Sequence, residues 1–231
     1  MNQQRIVYYQ CGNEACGLRF PELRDGLERE CCPMCKQRIY PTQVIDPPER
    51  EAIRLNQAAT TLQLEGLLDN IRSGLNVGGI FRSADGIGLR KLYLGGITPT
   101  PENIGVKKTA LRAEKSVAWE WVNNGVEKVK ELKKVGYCVW GLETADNAVS
   151  LYSIDTEIPS QPLVLVAGNE VCGIDPQMIA LCDLVVSIPM VGRKQSLNVA
   201  IAFGIAASYI RYRQISSQES ESKLPNRKLI P

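Results

Sequence analysis

Three short polar islands hold the residues of this chain best equipped for chemistry: Asn76-Val-Gly-Gly-Ile-Phe-Arg82, Gly168-Asn169-Glu170 and Ser196-Leu197-Asn198-Val199. They supply a guanidinium (Arg82), a carboxylate (Glu170) and neutral hydrogen-bonding groups (Asn76, Ser196, Asn198). Each island sits where an apolar, strand-like run gives way to a Gly-rich turn or a helix. Strand-to-helix crevices of this kind are where ligands bind in open α/β sheets. The chain has no histidine, which excludes Ser-His-Asp and Cys-His catalysis, histidine-ligated metals and an imidazole base.

A second constellation lies near the start. Cys11-x4-Cys16 and Cys32-Pro-Met-Cys35 form two hooks 15 residues apart, a pattern suited to a structural four-cysteine Zn²⁺ site in a zinc-ribbon-like module. Cys31 is an alternative to Cys32; the Pro33 turn suits the two-residue bite of Cys32 better. Residues 1–45 carry six basic and five acidic side chains, so zinc and four thiolates leave the module near neutrality. What it serves stays open between RNA docking, protein docking and structure. Cys138 and Cys182 read as small core residues; Cys172 lies inside the second island, as turn packing or beside a ligand.

The elements that would position these groups follow from the pattern. Residues 46–63 read as a helical linker opened by Asp46-Pro-Pro-Glu49. From Leu64 onward strands and helices alternate: strands at 64–71, 91–94, 137–142, 163–167 and 184–188, and helices at 77–88, 125–135, 176–181 and 198–213. Near-continuous apolar strands between helices predict a mostly parallel α/β sheet covered on both faces. The polar end, residues 214–231, reads as a flexible tail.

Composition sets bounds. The 231 residues are 44% hydrophobic and 23% charged, an ordinary balance for a globular protein. No apolar run approaches the ~20 residues that span a bilayer, and the N-terminus lacks the apolar core of a signal peptide, which leads us to expect a cytoplasmic protein with no membrane partner. The net charge of +2 does not by itself call for nucleic acid. Of the basic residues between 103 and 137, those at 127–134 read as a solvated helix face with i,i+4 pairs, whereas Lys107, Lys108, Arg112 and Lys115 form a candidate phosphate contact.

In order, spacing and residue type, the three islands resemble the motifs of the SpoU (TrmH) family of RNA 2′-O-ribose methyltransferases in the SPOUT superfamily. The resemblance extends from about Leu64 to Tyr212, within a domain read as residues 64–213, and includes Lys91-Leu-Tyr-Leu94, Thr98-Pro-Thr-Pro101 and Lys108-Thr-Ala-Leu111. It implies a trefoil knot within residues 168–200 and an S-adenosyl-L-methionine site built around Gly168, Ile188, Met190 and Leu197. It further implies a homodimer in which Arg82 of one subunit, the main catalytic residue, completes a site whose cofactor lies in the other. An RNA (tRNA or rRNA) ribose 2′-hydroxyl is the implied methyl acceptor.

Arginine keeps its proton at any ordinary pH. The guanidinium of Arg82 therefore suits a bidentate clamp on the target phosphate and stabilisation of developing alkoxide better than it suits proton abstraction. The proton acceptor stays open between water, a phosphate oxygen and Glu170. Asn76, Ser196 and Asn198 would fix Arg82 and the ribose, and Glu170 suits loop ordering better than base catalysis. An ion pair from Arg82 to Asp85 or Asp69 is the plain structural alternative. One departure stands out: Arg112 occupies a position where many resembling sequences carry glycine. The alternative functions are a catalytically idle RNA-binding or assembly factor that keeps the fold, and, disfavoured by the missing glycine fingerprint, a dinucleotide-dependent oxidoreductase.

Overall fold

A computed structural model describes residues 5–24, 29–46, 63–145, 147–154 and 158–222. The chain divides into two compact units, Met1–Arg54 and Leu55–Pro231. The linker expected at 46–63 falls almost wholly outside the described residues.

The first unit is a three-stranded antiparallel sheet of order β2-β1-β3, with β1 at Arg5–Cys11, β2 at Arg19–Arg24 and β3 at Ile39–Ile45. Alternation along β1 turns Val7, Tyr9 and Cys11 to one face, where they form a small core with Cys32 and Ile39. Five buried side chains are a thin core for such a module, and units of this size usually need a staple.

The second unit is a seven-stranded parallel sheet of order β6-β5-β4-β9-β7-β10-β8. Its strands are β4 (Leu64–Asp69), β5 (Lys91–Gly95), β6 (Ala118–Val122), β7 (Cys138–Leu142), β8 (Val149–Ser150), β9 (Leu163–Ala167) and β10 (Leu184–Ser187). Among the described residues five α-helices accompany them: α1 (Gly74–Ile87), α2 (Ile104–Ala110), α3 (Gly125–Lys134), α4 (Pro176–Ile179) and α5 (Val199–Ser222). Strand β9 is buried along its whole length, as a central parallel strand covered on both faces must be. Its Leu163, Leu165 and Ala167 pack with α1, α2 and α5, while Val164 and Val166 pack with α3 and α4. Phe81 of α1 and Phe203 of α5 are fully buried on the first face, each contributing roughly 1.5–3 kcal/mol of transfer free energy.

Helix α1 is held at both ends by charges from distant parts of the chain. The Glu170 carboxylate accepts hydrogen bonds from the Arg72 and Ser73 amides at 2.8 and 3.1 Å, at the helix N-terminus. The nearly buried Arg211 guanidinium donates to the Ile87 and Gly88 carbonyls, at 3.3 and 2.8 Å, at its C-terminus. Both placements complement the helix dipole.

Several boundaries differ from the sequence reading. Helix α1 starts three residues early, because Ser73 caps it by accepting from the Asn76 amide and Glu170 receives the preceding amides. Helix α5 runs to Ser222 rather than stopping at Arg213, so the expected tail is helical through its first residues. Strand β6 and helix α2 were not anticipated. Strand β6, AWEWV, is an edge strand with mixed burial, and α2 has only seven residues, too few for a clear period.

The two glycines of the first island let neighbouring helices pack closely on α1. A Cβ on Gly78 would collide with Thr109 Oγ1 and the Val106 carbonyl of α2, and one on Gly79 would come to 3.4 Å from Ala200 of α5.

Candidate active site

All strands of the parallel sheet point their C-terminal ends to one edge, and the loops leaving β7, β9 and β10 converge there with the start of α5. They enclose a cavity of about 360 Å³, within the range of small-molecule sites. Gly168, Ile188, Met190 and Leu197, the four expected cofactor contacts, all line it, as do Glu170, Ser196 and Asn198. Ile188, Met190 and Leu197 are half-buried and give the cavity apolar walls.

Gly168 is small for a reason the sequence did not disclose. A Cβ there would run into the backbone of Gly173 and Ile174, because the chain turns back at once. Asn169 and Gly173 exchange backbone hydrogen bonds of 3.0 and 2.9 Å. The Asn169 side chain fastens the turn by accepting from the Val171 and Cys172 amides and donating to the Asn70 carbonyl at 2.6 Å. Cys172 is exposed and does not line the cavity.

One chain of hydrogen bonds joins the three islands. Asn76 Nδ2 donates to Glu170 Oε1 at 2.8 Å, and Asn198 Nδ2 donates to Asn76 Oδ1 at 2.9 Å. Asn198 Oδ1 in turn accepts from the Ala200 and Ile201 amides at the start of α5. Burial raises the pKa of Glu170, but hydrogen bonds from the Arg72 amide, Asn76 and the Ser73 amide outweigh it and hold the carboxyl below its ordinary value. Three donors aimed at one carboxylate favour its ionised form. Ser196 lies on the cavity with no side-chain hydrogen bond among the described residues.

Arg82 is not part of this chain of bonds. It is exposed, does not line the cavity, and makes no hydrogen bond or ion pair among the described residues. Neither carboxylate offered as its alternative partner is used: Asp85 accepts from Ser116 Oγ at 2.6 Å, and the buried Asp69 accepts from Asn70 Nδ2 and the Asp175 amide. Asn76 and Arg82 are six residues apart on α1, which sets them about 120° apart around the axis. Asn76 bonds to two residues that line the cavity, and Arg82 has no such contact.

Glu143 and Thr144, at the end of β7, also line the cavity and were missed. Glu143 accepts from the Thr144 and Ile174 amides at 2.8 and 3.0 Å. The available signal was its place, a carboxylate directly after an apolar strand.

In the first unit the sulfurs of Cys11, Cys16, Cys32 and Cys35 all lie within 4.8 Å of one another. The Cys11–Cys35 and Cys16–Cys32 separations are 3.4 and 3.8 Å, close to the ~3.8 Å that tetrahedral Zn–S bonds of ~2.3 Å require. Cys31 is exposed and outside the group. Burial raises the Cys32 thiol, but the Cys35 and Met34 amides draw it down to about 7. For Cys11 the Asn13 amide acts downward, while burial and the neighbouring thiols push it up to about 12.

The basic residues Lys128, Lys130 and Lys133 are paired, but at i,i+3 spacing and to other elements rather than in the expected i,i+4 pairs. Lys128 pairs with Glu120 and Glu131, Lys130 with Glu127, and Lys133 with Asp183. Lys107, Lys108, Arg112 and Lys115 enter no ion pair among the described residues. No helix among the described residues is long and apolar enough to cross a membrane.

Comparison with known proteins covers most of the second unit. Residues 64–208 match the model of the SpoU rRNA Methylase family. The tRNA (guanosine(18)-2′-O)-methyltransferase of Aquifex aeolicus is 33% identical over 137 residues, 59% of this chain and 63% of that protein. The 23S rRNA (guanosine-2′-O-)-methyltransferase RlmB of Ralstonia nicotianae is 33% identical over 144 residues, 60% of this chain and 54% of that protein. The match thus spans less than two thirds of either relative. The AdoMet-bound rRNA methyltransferase of Sinorhizobium meliloti superposes with a TM-score of 0.61 at 26% identity, covering 69% of this chain and 61% of that one. Fold, motif positions and family model agree, and the chain belongs to the SpoU rRNA methylase family.

Proposed function

We propose that this protein transfers a methyl group from S-adenosyl-L-methionine to a ribose 2′-hydroxyl of RNA. One observation carries the reading: Gly168, from the turn after β9, and Ile188, Met190 and Leu197, from the loop between β10 and α5, line a single cavity beside the Glu170–Asn76–Asn198 chain of hydrogen bonds. The cavity's volume, apolar walls and polar rim fit a nucleoside cofactor. S-adenosyl-L-methionine supplies an electrophilic methyl group, so the residues need chiefly to align the acceptor. Alignment alone can lower a barrier by about 7–11 kcal/mol.

Each side chain then has a definite task. Ile188, Met190 and Leu197 exclude water from the adenine, and the 168–173 turn shapes the pocket floor. Glu170 stays ionised and fixes the start of α1. Asn76 and Asn198 keep α1 and α5 in register at the cavity rim, and Ser196 offers a free hydroxyl to the ribose. Arg82 binds the phosphate next to the target ribose and stabilises the alkoxide as its proton leaves to water or a phosphate oxygen. Arg82 is exposed and outside the lining of its own cavity, which fits a role in a site shared across a homodimer. The exposed Ile201 and Val191, close in sequence to the cavity-lining residues, are apolar surface that such a dimer would cover.

The four thiols hold a structural Zn²⁺, whose charge lets them ionise together. Among RNAs, the relatives' named activities on tRNA and on 23S rRNA make a structured tRNA or rRNA the substrate to test. An idle RNA-binding factor is the competing reading, and the intact chain of hydrogen bonds speaks against it. Ribose-methylation mapping of total RNA from cells with and without the protein tests the proposal: at least one 2′-O-methyl position should disappear with it, and an unchanged map would reject it.

A further inference from the structure

The turn that follows α2 is built against local preference. Leu111 and Arg112 are consecutive non-glycine residues in the left-handed region, at φ 51° and 77°. Side chains at such φ are strained, and they persist where the surroundings fix them. Here buried Ala113 and Val117 pin the turn on one side, and Ser116 Oγ bonds to Asp85 of α1 on the other. What the strain achieves is display. Arg112 stands exposed with no hydrogen bond or ion pair among the described residues.

Its surroundings are cationic. Lys107, Leu111, Arg112, Glu114 and Lys115 line a depression of about 570 Å³. Glu114, the acidic member, turns Oε2 inward, where it is buried without a hydrogen-bond partner. Arg82 lies four residues after Gly78 and three before Asp85, the α1 residues that touch α2 and this turn, so it shares their side of the helix. Lys107 and Lys108 also sit in the last turn of α2, where cations complement helix carbonyls. That explanation does not reach Arg112, which lies beyond the helix at a strained φ.

We propose that the Leu111–Lys115 turn anchors an RNA backbone phosphate, with Arg112 as a residue that determines which RNA binds. A phosphodiester is the chemistry that unpaired guanidinium and ammonium groups on an open depression select, and its place beside Arg82 extends the same strand of RNA away from the reacting ribose. The inference rests on the reading that the protein acts on RNA.

Arg112→Gly tests it without threatening the fold, since glycine adopts φ 77° freely. Binding of bulk tRNA and of bulk rRNA is measured with the full chain between about 50 and 200 mM salt. The variant should bind roughly tenfold more weakly, with the slope of log affinity against log salt reduced by about 1. Its melting temperature should be unchanged or higher, and its affinity for S-adenosyl-L-methionine unchanged. Equal RNA affinity and slope in the two proteins would overturn the anchor while leaving the methyltransferase reading intact. Parallel loss of RNA and S-adenosyl-L-methionine binding would show that the turn is only structural. Failure of the unaltered protein to bind either RNA would remove the RNA reading itself, and the anchor with it.

Discussion

Asn76 and Glu170 meet through a 2.8 Å hydrogen bond across 94 residues of sequence. The contact joins the first turn of α1 to the turn after β9, and Asn198 extends it to α5 at 2.9 Å. Three elements far apart in the chain are thus tied at the rim of one cavity. The carboxylate at the centre accepts two backbone amides besides Asn76, which ties the start of α1 to the turn after β9.

Glu170→Gln should therefore weaken the rim without removing the pocket. One amide oxygen cannot serve three donors, and on an exposed site the loss should be about 1–2 kcal/mol of stability. The pH dependence gives the sign. The folded-state pKa is depressed below the ordinary 4.5, so the stabilisation is complete above that value and fades as pH falls through the folded-state pKa. Thermal melts between about pH 7 and pH 3 should show the unaltered protein losing more stability than Glu170→Gln; identical pH profiles would contradict the anchor.

Gly168→Val should abolish S-adenosyl-L-methionine binding by displacing the 168–173 turn. The added side chain has no space against the Gly173 and Ile174 backbone, and overpacking of this kind typically costs about 1–3 kcal/mol or more. Calorimetry provides the check. Unchanged affinity in a folded variant would place the cofactor elsewhere.

Arg82→Ala should lower turnover by about 10²–10³-fold, the scale for removing one transition-state donor, while leaving S-adenosyl-L-methionine affinity unchanged, because Arg82 lies outside the cavity. Arg82→Lys should recover little, since a point charge does not reproduce a bidentate fork. Mixed dimers of Arg82→Ala and Asn198→Ala subunits should regain activity, each holding one site with both residues intact. No recovery in verified mixed dimers would argue that the site is not shared.

What the sequence disclosed and what it withheld follow a physical pattern. The buried strands β4, β7 and β9 were legible because central parallel strands read as apolar runs, and the cavity residues because each follows such a run. Strand β6 and helix α2 were not, since an edge strand and a seven-residue helix leave little periodicity. The roles of Gly78 and Gly168 were visible only as glycine. Whether a glycine admits a ligand or another piece of the same chain depends on what folds back against it, and in both cases it was the chain. Glu170 showed its type but not its partners, because the Arg72 and Ser73 amides became acceptable donors only once α1 was placed.

Protein purified without chelator should contain one zinc per chain, and Cys35→Ser should lose it. The variant's first unit should then melt separately while the second unit, with its own core, stays folded. Absence of metal from the unaltered protein would leave the four clustered thiols without the staple assigned to them.

The central claim is that a ribose hydroxyl receives the methyl group. Purified protein incubated with S-adenosyl-L-methionine carrying a labelled methyl, and with RNA from cells lacking the protein, is followed by alkaline hydrolysis of that RNA. Strand cleavage by base requires a free 2′-hydroxyl, so a 2′-O-methylated nucleotide survives as an alkali-resistant dinucleotide. Label should appear in that dinucleotide and be lost with Arg82→Ala. Label confined to base-methylated mononucleotides, or no label in RNA at all, would contradict the claim.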